Sequence, residues 1–350
     1  MSNEVFLGVL AALVASLLAW GFRTLPREDW QIAAAVPIVK EGSGHWHGLN
    51  LTYYGIFQAS AYTLGLAMMI VLLGSVGVSL LGTVLLAALL LACCVPAASL
   101  VARLVEHKSA TFTVGGAVFV GVLLGRWVFL LGNRLLGRAL QAPVPAVPAM
   151  AAAAIAYALG EGVGRLACVS FGCCYGKPLA SLSPRLRALF ARSAFVFAGA
   201  TKKVAYEGGL EGEPVVPIQA ITATLFVAIA LVAASAFLRG HYRLAFGLAF
   251  IGTQAWRAVS EVLRADYRGG GRISAYQVMA IVGIAYALTV FPLLPGEALP
   301  AAHVLAGLQR LWDPVAIVCL QALWIAIFLR TGRSVVTEAT LSFHVRRDLV

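Results

Sequence analysis

Two arginines in this chain stand at the ends of apolar runs, each beside groups suited to an anion site. Arg165 lies in the stretch Gly-Arg-Leu-Ala-Cys-Val-Ser-Phe-Gly-Cys-Cys-Tyr-Gly, bounded by Gly164 and Gly176. Arg257 is followed by Glu261 one helical turn on, then by Arg264 and Asp266. An ionised side chain at a bilayer boundary is costly to place unless something of opposite charge meets it. A guanidinium keeps its charge and can fork two hydrogen bonds to a phosphate. The pair therefore suits recognition of an anionic headgroup. The bland readings are an Arg165 that snorkels to the interface and an Arg257–Glu261 pair that only neutralises charge.

Other residues fall at the same kind of boundary. Tyr54 follows Tyr53 and precedes Gly55, and can line a cavity or belong to an interfacial aromatic belt. Gly115 and Gly116 allow close approach of a lipid or of another helix. Gln219 and Gln277 begin apolar runs, where an amide can bind a headgroup or cap the backbone. His45 and His47 are of the residue type that can serve as a base near neutral pH, or are plain exposed loop histidines. Cys168 and Cys173 can offer a thiolate or pack, and Cys174 reads as packing. The chain has six cysteines. The adjacent pairs Cys93-Cys94 and Cys173-Cys174 are poor spacing for a disulfide or zinc. Cys93, Cys94 and Cys319 lie in apolar runs, as small hydrophobes do. No metal and no cofactor is expected.

The elements that position these residues are membrane spans. Of 350 residues, 61% are hydrophobic and 12% charged, with a mean hydropathy of +0.88. A soluble domain carries roughly 25% charged residues. Apolar runs of about 20 residues select helices rather than a barrel. The fold class is therefore all-α: a polytopic transmembrane helix bundle. A net charge of +11 in such a protein reads as contact with anionic lipid and as topology control, not as nucleic-acid binding.

Nine spans are expected, at about 4–21, 53–73, 77–101, 111–131, 148–168, 215–238, 244–263, 273–295 and 313–329. The first reads as an uncleaved anchor, since its basic residue, Arg23, follows the apolar stretch. Segment 23–50 reads as a polar loop. Segment 169–213 has Arg185, Arg187, Arg192, Lys202 and Lys203 around Leu186, Leu189, Phe190 and Phe195, which suits an amphipathic helix in the headgroup zone or a solvated loop. Alternating the spans places Tyr54, Gly115, Gly116, Arg165, Cys168, Gln219, Arg257, Glu261 and Gln277 at one face of the membrane. The organisation expected is an N-terminal helix and loop over 1–49, a core over 50–295, and a C-terminal helix with a basic tail over 296–350.

Gly164 to Gly176 resembles the motif Gly-Arg-Ile-Gly-Asn-Phe-x-Asn-Gly-Glu-x-x-Gly of bacterial prolipoprotein diacylglyceryl transferases, in a variant ending Gly-Cys-Cys-Tyr-Gly. Further similarities follow in order: Leu51 to Gly55, Phe112 to Gly116, Val216-Pro217-Ile218-Gln219, Arg257 to Asp266, and Ser274 to Gln277. The resemblance covers about 50–295. It implies a seven-helix core with an extra N-terminal helix and an extra C-terminal one. It implies transfer of diacylglyceryl from phosphatidylglycerol to the thiol of a lipobox cysteine in a lipoprotein precursor, with glycerol phosphate leaving. The family's two phosphate-holding arginines correspond to Arg165 and Arg257, whose fixed charge would stabilise the leaving phosphate.

The chain departs from the family at Val114, Cys168, Cys173 and Val216, and at Ile221 and Thr222. The phosphate-binding half of the pattern is kept and the acceptor-activating half is altered. The resemblance thus implies Arg165, Arg257, Glu261 and Tyr54 as catalytic residues. It implies Gly164, Cys168, Cys173, Gly176, Gly115, Gly116, Gln219, Arg264 and Gln277 as substrate contacts, with His45 or His47 as a replacement base. The acceptor is a lipobox cysteine or another nucleophile. The alternatives are a non-catalytic phospholipid-binding homologue and a lipid transporter. The resemblance implies the bacterial inner membrane with the site facing the periplasm. The charge bias points the other way: about 20 of the 26 Lys and Arg fall on the site face.

Overall fold

The structure, a computed structural model, describes residues 1–106, 114–140, 144–267, 273–294, 299 and 301–350; Phe112 and the side chain of Val114 lie outside these. The chain enters through α1 (Asn3–Thr24), whose N-terminus is capped by the Ser2 hydroxyl accepting from the Val5 amide. Strands β1 (Ile32–Lys40) and β2 (Trp46–Thr52) then form an antiparallel hairpin. Thr52 ends β2 and caps α2 (Tyr53–Ser75) through the Gly55 amide. Next come α3 (Leu80–Glu106), α4 (Val114–Leu140) and α5 (Ala146–Phe171).

The long polar segment folds as a compact cap. It contains α6 (Pro184–Phe190), β3 (Phe195–Val196), α7 (Lys203–Tyr206) and β4 (Pro214–Val215), with β3 and β4 paired. Helices α8 (Ile218–Leu238), α9 (Tyr242–Ser260), α10 (Ala275–Val290), α11 (Val304–Leu311) and α12 (Pro314–Thr331) follow, then β5 (Arg333–Leu341) and a 3₁₀ turn at Arg347–Leu349.

Among the described residues, eight helices are long and apolar enough to cross a membrane. The chain is a multi-pass membrane protein with an all-α bundle. The seventh expected span, at about 244–263, is α9, which falls short on apolarity because Arg243, Thr253, Gln254 and Arg257 interrupt it. It is held inside the bundle instead, against α5, α8 and α10.

Helix α5 is the centre. In its most apolar stretch 72% of residues are buried, against 11% in α12, so α5 packs on protein while α12 faces outward. Its Ala- and Gly-rich surface lets α2 cross closely. A Cβ on Gly160 would stand 3.0 Å from the Ala61 carbonyl oxygen, and one on Gly65 would stand 3.0 Å from that of Ala156. Small residues at such a crossing replace hydrophobic attraction, absent in lipid, with close van der Waals packing.

Segment 23–50, read as a loop, is largely sheet. β2 pairs with β1 on one side and β5 on the other, all antiparallel. Alternation in β2 buries Gly48, Asn50 and Thr52. The divisions expected at 49/50 and 295/296 thus separate segments that share one sheet. Thr52 also binds the Gly332 carbonyl at the end of α12, through its amide at 2.9 Å and its hydroxyl at 3.1 Å. At the opposite end, Asn3 donates to the carbonyls of Leu238 and Ala302 and accepts from the Val304 amide. These two clasps join the start of α2 to the end of α12, and the start of α1 to the end of α8 and the start of α11.

The 169–213 cap differs from both readings of it. Only seven residues form α6, and Arg187 turns back to the carbonyls of Leu179 and Ala180 at 3.2 and 2.8 Å. Lys202 is fully buried. Its ammonium donates to the Leu25 carbonyl at 3.2 Å and the Ser170 carbonyl at 2.5 Å, capping the C-terminal ends of α1 and α5 together. Burial lowers its pKa to about 8.

Candidate functional site

Arg165 sits near the C-terminal end of α5, where its side chain is 11% exposed. One turn earlier on the same helix face stands Glu161, and the two form an ion pair. From α9, the Arg257 guanidinium reaches the same Glu161 oxygen at 3.8 Å and donates to the Tyr157 hydroxyl at 3.4 Å. Two buried cations thus share one carboxylate, and this three-residue group has a net positive charge. The Arg165 Nε is buried and has no hydrogen-bond partner among the described residues. A buried orphan donor on a guanidinium is an anion-binding feature, because leaving it unpaired is costly.

Gly115, at the start of α4, makes room for Arg257. A Cβ there would collide with the Arg257 Nη2 and stand 2.9 Å from the Tyr276 ring. Gly116 beside it is buried. Gly164 is less constrained, since an added Cβ would make only ordinary contacts, at 3.4 Å to Ala61 and 3.9 Å to Gln58.

Helix α9 ends at Ser260, and Glu261 begins a 3₁₀ turn ending at Leu263. The Glu261 amide still bonds the Arg257 carbonyl, and the 3₁₀ turn that follows brings Arg264 within 3.9 Å of the Glu261 carboxylate, which also accepts from the Ser274 hydroxyl at 3.2 Å. Arg264 in turn grips Asp266 with two hydrogen bonds of 2.8 and 2.7 Å, the fork geometry of a strong pair. The i, i+4 spacing of Arg257 and Glu261 therefore resolves into two neighbouring clusters: Arg165–Glu161–Arg257, and Glu261–Arg264–Asp266.

The loop after α5 joins them. Gly172 caps α5 in the left-handed conformation, with φ of 70°. Gly176 then pairs with Arg264 as an isolated antiparallel bridge, flanked by Lys177 N–H to Leu263 O at 2.9 Å and Ala265 N–H to Tyr175 O at 3.1 Å. A Cβ on Gly176 would overlap Val216, so the contact requires glycine. Gln219 donates to the Cys173 carbonyl at 2.9 Å, while its own Oε1 is buried without a partner. Gln277 acts on backbone: it completes a capping box with Ser274 and donates to the Ala258 carbonyl at 2.9 Å.

Cys168, Cys173 and Cys174 come together, their sulfurs all within 4.8 Å of one another. Arg165 Nη1 is 4.0 Å from the Cys168 sulfur. Hydrogen bonds from the Cys168 and Cys173 thiols, with Arg264 and Arg165 nearby, hold the Cys174 thiol well below its ordinary range. The Tyr54 ring stands edge-on to Phe171, 5.7 Å between centroids, on the same rim.

The two histidines belong to the sheet. His45 is exposed at the β1–β2 turn, and His47 is clamped by Glu41 and, at 2.8 Å, by Glu338 of β5. Hydrogen bonding to Glu41 and the charges of both carboxylates raise the His47 pKa.

Glu161 and Tyr157 are the site residues that the sequence reading did not single out. A signal existed for Glu161: it is four residues before Arg165 in an otherwise uncharged Ala-rich span. The structure thus brings Arg165, Arg257, Gly115, Gly176, Arg264 and the three cysteines to one end of α5. His45 and His47 are held in the sheet instead.

Residues 44–293 match the family model described as prolipoprotein diacylglyceryl transferase. Comparison with curated proteins gave no match, and comparison with solved structures gave none. The match takes in well over half of the chain, from the end of the β1–β2 turn to the end of α10, and contains every cluster just described; the chain belongs to the prolipoprotein diacylglyceryl transferase family.

Proposed function

We propose that this protein takes diacylglyceryl from an anionic phospholipid, phosphatidylglycerol, and passes it to a nucleophile, with the Arg165–Arg257 pair as the phosphate site. The observation that carries this reading is that two buried guanidiniums converge on a single carboxylate while the Arg165 Nε is unpaired. A phosphodiester would occupy that free donor. In the reaction the carbon–oxygen bond between diacylglyceryl and phosphate breaks. A bond forms from the same carbon to the acceptor, a lipobox cysteine sulfur of a lipoprotein precursor or another nucleophile. Glycerol phosphate leaves with the bonding electrons, and the acceptor's proton passes to a base or to water. Fixed cations at the leaving phosphate stabilise the charge that develops there.

Glu161 keeps the two arginines together, and Glu261 orients Arg264. Tyr54 lines the rim. The reading places the chain in the bacterial cytoplasmic membrane with this end toward the periplasm. Several cations of that face, Lys202, Lys203, Arg187 and Arg264, are engaged in internal bonds, so they weigh less as topology signals than their number suggests.

A second reading, a phospholipid-binding protein without catalysis, is favoured by one observation. Val216 is fully buried under Gly176, where the family has a histidine. One experiment separates the two. Purified protein is incubated with headgroup-labelled phosphatidylglycerol, with and without a lipobox peptide. Glycerol phosphate release that is lost in Arg165→Ala supports the transferase. Release without peptide modification retains an enzyme but rejects the lipobox acceptor. Lipid binding that needs Arg165, with no release under any condition, supports the binding protein.

A further inference from the structure

Three cysteines that are poor metal ligands by linear spacing become a cluster through two backbone turns. Helix α5 stops at Phe171, Gly172 takes the left-handed cap, and the Cys173 amide returns to the Cys168 carbonyl at 3.1 Å. Cys174 then has φ of 54°, the one positive φ at a non-glycine among the described residues. Glycine would take that conformation without steric cost, so what the position gains from cysteine is its sulfur. The turns bring all three sulfurs within 4.8 Å of one another. Three sulfurs held at about 2.3 Å around one ion stand about 4 Å apart, so the cluster needs only small rotations of its side chains. The loop is also braced on both sides, by the Gly176–Arg264 bridge and by Gln219 on the Cys173 carbonyl. Ligands fixed in advance in this way lose little freedom on binding.

We propose that Cys168, Cys173 and Cys174 form a three-coordinate thiolate site for a soft monovalent metal ion of the Cu(I) class. Zinc in a structural site takes four protein ligands, and the cluster has no fourth histidine, cysteine or carboxylate among the described residues. Thiolate sulfur selects soft ions. Charge agrees: three thiolates around a monovalent ion carry two net negative charges, and the Arg165 guanidinium stands 4.0 Å from the Cys168 sulfur. Binding releases the thiol protons and changes no oxidation state. The ion ties the last turn of α5 to the loop that carries Gly176. The inference stands apart from the transferase reading, because it concerns this cluster's own ligation.

The test uses the full chain in detergent, reduced and kept from oxygen. Cys93→Ser, Cys94→Ser and Cys319→Ser leave the three cluster thiols as the chain's only ones. This protein is titrated with Cu(I) delivered from a chelator of known affinity. The expected result is one Cu(I) per chain with three sulfur neighbours by X-ray absorption. Adding Cys173→Ser should weaken binding by about 100-fold or more. No uptake from the chelator, two-sulfur coordination, a preference for Zn(II), or affinity unchanged in Cys173→Ser would each overturn the proposal. If Cys173→Ser does not fold, the sulfur count on the intact cluster decides alone.

Discussion

Glu161→Gln should separate stability from anion binding, because Glu161 neutralises two buried arginines at the place where a phosphate would do the same. The carboxylate is 11% exposed; it is paired with Arg165 and stands 3.8 Å from Arg257. At an effective dielectric near 20, unit charges about 4 Å apart interact by about 4 kcal/mol. Removing one partner of a buried pair typically costs about 3–5 kcal/mol. Glutamine keeps the shape and one acceptor oxygen, so the lower end of that range is expected, read as a lower midpoint of thermal unfolding in detergent.

Anion affinity should move the opposite way. A phosphate seated on the Arg165 Nε, about 6 Å from the carboxylate, is repelled by about 3 kcal/mol under the same dielectric. Losing that repulsion tightens binding by about 100-fold. The assay is displacement of a fluorescent anionic phospholipid from protein in neutral detergent, at two salt concentrations. A less stable Glu161→Gln that binds the lipid more tightly supports the shared-carboxylate site. A variant that loses both stability and affinity shows that Glu161 is needed to aim the arginines. Unchanged affinity would refute the assignment of the phosphate to this pair.

Gly115→Ala puts a methyl group against the Arg257 guanidinium; displacing that group by about 1 Å should cost about 100-fold in glycerol phosphate release, whereas release equal to wild type would detach Arg257 from the site. Lys202→Met strands the Leu25 and Ser170 carbonyls and should destabilise the protein by about 2–4 kcal/mol. Lys202 has a folded pKa lowered to about 8 from 10.5, so the unfolded chain binds more protons between these values and wild-type stability should rise with pH there. Stability curves of Lys202→Met should lack that rise, and a curve with the same slope would refute the buried-ammonium account. In the sheet, the pKa of His47 is raised from 6.5 and that of Glu41 lowered from 4.5 by their contact. The His47 contribution is therefore complete below pH 6.5 and fades as pH climbs through its raised value, while that of Glu41 is complete above pH 4.5 and fades as pH falls below it. Amide exchange in β2 and β5 should be slowest between those limits, and rates independent of pH, after correction for intrinsic exchange, would remove the clasp.

What the sequence made legible was whatever is repeated or paid for locally, and what it hid was whatever depends on where a helix ends. The spans were readable because lipid imposes about 20 apolar residues on each, and counting them was enough to put Arg165 and Arg257 at one end of the bundle. The partner of Glu261 was harder to read: its amide keeps the α-helical bond to Arg257, but the 3₁₀ turn after it folds Arg264 back to within 3.9 Å of its carboxylate, a pairing set by where the helix ends. The cysteine cluster was invisible for the same kind of reason: spacing of five residues says nothing until Gly172 and Cys174 take left-handed backbone. The β1–β2–β5 sheet escaped because it joins segments almost 300 residues apart, such as His47 with Thr340, and β1 lacks an alternating buried face that would mark it as a strand. Lys202 shows the cost of reading charge by composition. It counted as one more headgroup cation, yet it is buried and holds the ends of α1 and α5 together. The altered family positions are spread over several elements: Cys168 is on α5, Cys173 in the loop after it, Val216 beneath that loop against Gly176, and Ile221 and Thr222 on α8. Arg165 and Arg257, the residues proposed to bind the lipid phosphate, are held by α5 and α9, so changes at those positions leave the arginine pair in place.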